Sequence, residues 1–125
     1  RMPDLPATTT IDAQGNLLLP RALQGENRLT IACPPAWLDD GKFQLVDYNT
    51  MIAITHRIAR MRTSGAMANV AMMEAAYRTH ASSCRIDPDT GTLHLPARLR
   101  ARFAPLPCIV TLTDRDGPVT VTRAD

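Results

Sequence analysis

The chain has 125 residues, 45% of them hydrophobic and 21% charged, which suits one domain, or two very small ones, with a modest core. Aromatic residues make up only 4%, so aliphatic side chains must fill the interior. A formal net charge of +2 is weak testimony for a polyanionic partner, and no apolar run approaches the length of a membrane span.

Thirteen of the 14 basic residues are arginine, with Lys42 the exception. The planar arginine fork pairs bidentately with phosphate or guanine. A GC-rich genome yields the same excess, so only the placement of the arginines is informative. Cys33, Cys84 and Cys108 are odd in number, far apart and without a CxxC pair, which argues against a disulfide framework and a structural zinc site. His80 and Cys84, four apart, would share a face if helical, but two ligands are too few for a metal. No cofactor is expected. No N-terminal run resembles a signal peptide, so a cytoplasmic protein is expected, and a start at Arg1 instead of Met implies that a few residues precede it.

Taken in order, residues 1–9 form a loose lead-in containing Pro3 and Pro6. Residues 9–11 read as a short strand, Asp12-Ala13-Gln14-Gly15 as a turn and Leu17-Leu18-Leu19 as the return strand. Pro20 opens one helical turn at most, because Gly25 follows closely. Asn27-Arg28-Leu29-Thr30-Ile31 alternates Leu29 and Ile31 inward, and Pro34-Pro35-Ala36-Trp37-Leu38 reads as a short helix stopped at Gly41. Phe43-Gln44-Leu45-Val46-Asp47 is a strand, Tyr48-Asn49-Thr50 a turn, and Met51-Ile52-Ala53-Ile54-Thr55 its hairpin partner. Residues 58–82 form the one long helix, with Thr63 or Ser64 as N-cap. Ala66, Val70, Met73 and Tyr77 lie on one face of it, a Met/Ala stripe suited to core, oligomer or partner contact. Arg57, Arg60 and Arg62 make a basic step into this helix, and residues 56–85 carry five arginines against the single acid Glu74.

The second half opens Ile86-Asp87, turns at Gly91, and continues Thr92-Leu93-His94-Leu95-Pro96-Ala97-Arg98-Leu99-Arg100. A short helix runs from Pro96 to about Phe103. Cys108-Ile109-Val110-Thr111-Leu112-Thr113 and Val119-Thr120-Val121-Thr122 then form a hairpin around Asp114-Arg115-Asp116-Gly117. The opening phrase repeats an earlier one, Ile11-Asp12 followed by Gly15-Asn16-Leu17-Leu18-Leu19-Pro20-Arg21-Ala22-Leu23. In each, proline stands five residues after the glycine and leucine three after the proline. A rival alignment sets residues 27–57 against 91–123, including the following hairpin. Two counterparts therefore stand for the second-half phrase, residues 15–23 and residues 27–38. The chain divides into a first half (1–57), a linking helix (58–83) and a second half (84–125), together one compact unit.

A turn rich in Asp and Gly, an alternating strand ending at proline, a short helix and a hairpin together resemble the AbrB/MraZ family of swapped-hairpin DNA-binding domains. The family phrase is approximately Asp-x-x-Gly-Arg-x-x-Ile-Pro-x-x-Leu-Arg. Asp87, Gly91, Leu95, Pro96, Leu99 and Arg100 match it, as do Asp12, Gly15, Leu19, Pro20 and Leu23, with Gln24 in place of the final arginine. The resemblance implies a mostly β fold with short helices, a duplicated swapped-hairpin barrel completed within one chain. It also implies a transcriptional regulator that binds double-stranded DNA. The arginine expected after the turn glycine is Asn16 in one copy and Thr92 in the other; only Arg28, in the rival register, supplies it.

For DNA contact the candidates are Arg98, Arg100 and Arg102, then Arg28, Arg57, Arg60 and Arg62, holding mainly phosphates. A spacing of two sets neighbours roughly 200° apart on a helix, so Arg98 and Arg102 share a face and all three cannot meet one groove. Alanine at all three is expected to weaken DNA binding and leave the melting temperature nearly unchanged. The alternative is an antitoxin-like or assembly module in which the Met/Ala helix docks on a protein partner or a second copy. Catalysis is not expected: there is no Gly-rich phosphate loop, no nucleophile–base arrangement, and the carboxylates cluster in turns.

Overall fold

The computed structural model describes residues 5–24, 28–64, 75–103, 107–114 and 118–124. Two aspartate-led turns set the pattern. In the first, the Asp12 carboxylate accepts the backbone N–H groups of Gln14 and Asn16, each at 2.9 Å, and Gly15 completes the turn at φ +82. In the second, Asp87 accepts the N–H of Asp89 at 2.9 Å and Gly91 adopts φ +68. Such local bonds are what short acidic side chains offer a turn, and positive φ is where glycine costs least.

These turns join β1 (Ala7–Ile11) to β2 (Asn16–Leu18) and β5 (Ala81–Asp87) to β6 (Thr92–His94). After each pair a proline starts a short helix, α1 (Arg21–Gln24) in the first half and α4 (Ala97–Arg102) in the second. Second hairpins follow: β3 (Arg28–Ala32) with β4 (Lys42–Val46), and β7 (Cys108–Asp114) with β8 (Val119–Arg123). The loop of the β3–β4 hairpin holds α2 (Pro35–Asp39), stopped by Gly41 at φ +70. The helix α3 (Tyr48–Ser64) and a π-helical turn (Ala75–Thr79) lie between the halves.

The eight strands close into an antiparallel barrel in the order β1-β2-β6-β5-β3-β4-β8-β7. First-half and second-half hairpins therefore alternate around it. β1 pairs with β7 and β5 with β3. The remaining seams join like to like, β2 to β6 through Leu17 opposite Leu93 and β4 to β8 through Phe43 opposite Val121. Exchanging β1 with β5, β2 with β6, β3 with β7 and β4 with β8 returns the same ring, so the barrel has an internal twofold relation. Its hydrogen bonds obey the relation too: Leu95 N–H donates to Gly15 O at 2.9 Å and Leu19 N–H to Gly91 O at 3.1 Å.

Alternation along the strands sends Ile11, Leu17, Leu29, Ile31, Phe43 and Leu45 inward from one half. Ile86, Leu93, Val110, Leu112, Val119 and Val121 come from the other. Leu23 and Leu99 from the short helices, with Leu19 and Leu95 just ahead of them, complete the core, and Phe103 meets Phe43 edge to face at 5.4 Å. Burial of this scale, at roughly 25 cal/mol per Å² of apolar surface, is unattainable by one half, whose two hairpins share no ladder.

The structure decides between the two alignments. Residues 15–23 are the counterpart of 91–99, whereas Arg28 begins the equivalent of β7 and α2 is an insertion with no partner among the described residues of the second half. The expected hairpin partner at Met51–Thr55 is wrong: these residues are helical. Asp47 caps that helix, accepting the Thr50 N–H at 2.7 Å and the Thr50 hydroxyl at 3.1 Å. Ile54 is buried and Met51, Ile58 and Met61 are half-buried, a 3.6-residue period that overrides the β-branched composition. The long helix thus begins at Tyr48, ahead of Thr63 and Ser64, which lie within it and do not cap it. His80 precedes β5 and Cys84 lies within it, so helical spacing does not apply to them. The turn at 115–117 lies outside the described residues. No helix among the described residues is long and apolar enough to cross a membrane.

A Cβ added at Gly15 would lie 2.0 Å from Cδ of Arg100 and force a non-glycine residue into the left-handed region. Gly15→Ala is expected to cost about 2 kcal/mol and to lower the melting temperature by about 8 °C in a thermal scan.

Candidate nucleic-acid interface

The three arginines of α4 go to three different places. Arg98 Nη2 donates to the Cys33 carbonyl at 3.0 Å. Arg102 donates from Nε to Leu38 O at 2.8 Å and from Nη2 to Asp39 O at 2.6 Å, adding to the Gly41 N–H that Leu38 O accepts at 3.0 Å at the end of α2. Arg100 runs over Gly15 and donates from Nη1 to Leu95 O and, at 3.2 Å, to His94 Nε2. Gln24 does the same work in the other half: it lies over Gly91 and its Nε2 donates to Leu19 O at 2.8 Å. The residue at this place in each short helix therefore ties the other half's turn to its own strand end. Arg98 and Arg102 remain solvent-exposed, but all three guanidiniums are engaged with backbone, so their joint removal is expected to lower the melting temperature.

The arginines of α3 are placed differently. Arg57 and Arg60 are exposed, and the helix, with apolar Met51, Ile54, Ile58 and Met61 on its less exposed side, contains no acidic residue in 17 positions. The backbone of Arg62 continues this helix. α3 packs against β3. Ala66, Val70 and Met73 lie outside the described residues. Tyr77, the fourth member of the expected contact stripe, is used within the chain: its hydroxyl bonds Gln44 Oε1 on β4. Burial pushes its phenol up to about 12, with the Arg57 charge acting in the opposite direction.

Arg28 and a residue the sequence reading passed over, Arg85, stand directly opposite each other on β3 and β5. Both are exposed. Arg85 also lines a cavity of ≈ 260 Å³ with Asp12, Asn16, Asp87, Thr92 and His94. Asn16 and Thr92, found where arginine follows the glycine in the resembling family, thus face one another's strands across the β2–β6 seam. Arg100 can only donate, so His94 Nε2 accepts from it and Nδ1–H donates to Asn16 Oδ1 at 2.8 Å. The backbone N–H of Asn16 holds the Asp12 carboxyl below its ordinary range, against desolvation, with further bonds from the Gln14 N–H and the Asn16 side chain. A depressed carboxyl stabilises above its unfolded pKa, so this turn clasp is lost as acid protonates it.

Other chemistry is sparse. The Cys33 thiol is buried, desolvation pushes its pKa up, and it donates to the Lys42 carbonyl at 3.4 Å, all of which make it a poor nucleophile. Among the described residues no group of three His, Cys, Asp or Glu side chains is arranged to hold a metal ion.

Arg102→Ala removes two charge-assisted bonds across the halves. It is expected to cost about 1 kcal/mol after allowance for exposure and to lower the melting temperature by about 4 °C, measured by calorimetry.

In comparisons with known proteins, no family model matches this chain and no curated protein matches it.

Proposed function

We propose that this protein is a single-chain relative of the AbrB/MraZ swapped-hairpin domains and binds double-stranded DNA as a transcriptional regulator in the cytoplasm. The observation that carries the reading is α3: a basic, acid-free helix whose Arg57 and Arg60 point to solvent while its apolar stripe faces the protein. A helix so charged attracts a polyanion, and its arginines fit phosphate oxygens bidentately. The alternating hairpins of the barrel support the family reading, since duplication would let one chain do what two chains do in single-module relatives.

This moves the emphasis within the candidate set. Arg57 and Arg60, joined by Arg28, are the phosphate contacts; Arg98, Arg100 and Arg102 chiefly hold the halves together. A second reading, a protein-docking module, is favoured by Tyr48 and Ile52, 74% and 37% exposed on α3 and four residues apart.

Fluorescence anisotropy with duplex DNA separates the two. Binding should weaken steeply between about 50 and 200 mM salt, and Arg57→Ala with Arg60→Ala should reduce the slope of log K against log salt by about 2 without changing the melting temperature. No binding at the lower salt would overturn the DNA reading and leave the docking one.

A further inference from the structure

The pairing of Arg28 with Arg85 has no structural reward. Side chains directly opposite on antiparallel strands approach within about 5 Å, and like charges there repel. Neither guanidinium is in an ion pair among the described residues; Arg28 reaches only Ser83 Oγ, at 3.4 Å. Asp87, two residues along β5 from Arg85, is opposite Thr92, and Asp12 lies beyond it in the cavity wall. The two carboxylates line that cavity together with Arg85, whereas Arg28 and Ser83 lie outside its lining; across the β3–β5 ladder Arg85 meets the cationic Arg28. The ladder continues the row: Ile86 opposite Leu93 brings Arg85 beside His94, which is itself opposite Asn16.

From this we infer that Arg28 and Arg85 form an oxyanion site on the barrel wall that takes one phosphate group, with the Ser83 hydroxyl as a further donor. Two guanidinium forks offer the charge and paired donors that a tetrahedral oxyanion accepts. The bound anion removes the repulsion that the empty pair suffers. The inference does not depend on α3 or on the DNA reading, because a phosphate from a nucleic-acid backbone and a free phosphate present the same oxygens.

The test uses the whole chain with inorganic phosphate against chloride at matched ionic strength. Phosphate should raise the wild-type melting temperature by a few degrees and shift the backbone amide signals of residues 28, 83 and 85 in a saturable, one-to-one manner. Arg85→Ala and Arg28→Ala should each fold, melt at or above the wild-type temperature in chloride, and lose at least tenfold in phosphate affinity. A merely structural arginine would instead lower the chloride value. Arg57→Ala with Arg60→Ala should leave the phosphate response intact. Duplex DNA that shifts the same amides and is displaced by phosphate identifies the source as a nucleic-acid backbone; a phosphate response without one from DNA identifies a free phosphate and rejects only the DNA reading. A phosphate response absent in the wild type, or retained by both single variants, overturns the site.

Discussion

Everything in this molecule depends on hairpins from its two halves alternating around one ring. β1–β2 lies between β7–β8 and β5–β6, and β3–β4 between the other two faces of the same pair. A half by itself would leave every hairpin with open edges and an uncovered apolar face. Closure removes the edges and places apolar side chains from both halves in a single core. The seams where like meets like, β2 with β6 and β4 with β8, are the two ends of the internal twofold relation, and the glycine carbonyls of each turn are bonded by the other half's strand end.

Where the halves differ, the chain has diverged without disturbing the barrel. Gln24 and Arg100 meet one geometric demand, a long side chain laid over a glycine with a donor at its end for a carbonyl. Only one of them brings a charge, and with it the link to His94. The α2 insertion has no counterpart among the described residues; Arg102 of α4 donates to its Leu38 and Asp39 carbonyls, and Arg98 to the Cys33 carbonyl ahead of it. Of the other arginines, Arg57 and Arg60 are exposed on α3, and Arg28 and Arg85 form the opposed pair on β3 and β5.

Much of the fold was legible because its signals are local. Asp12, Gly15, Pro20 and Leu23, then Asp87, Gly91, Pro96 and Leu99, mark turns and helix starts by chemistry that acts within a few residues. The alternating strands and the stop at Gly41 were equally visible. The helix at Tyr48–Ser64 was obscured by β-branched residues that also suit a strand, although Asp47 and the spacing of Met51, Ile54, Ile58 and Met61 carried its signal. The site was less legible: Arg98, Arg100 and Arg102 look like one cluster in the chain, and Arg85 looks like nothing.

The sequence by itself determined that the chain contains two copies of a strand–turn–strand–short helix–hairpin unit, since turn and cap chemistry and alternation are written over short spans. It could not determine which copy of the phrase was the partner, because glycine, proline and leucine recur at both spacings and only strand pairing distinguishes them. Tertiary structure alone decided that Arg28 faces Arg85 across 57 positions of sequence, and that Arg98 and Arg102 of α4 reach carbonyls more than sixty residues away. Register between distant strands and the reach of long side chains are set by the closed ring, not by neighbours in the chain.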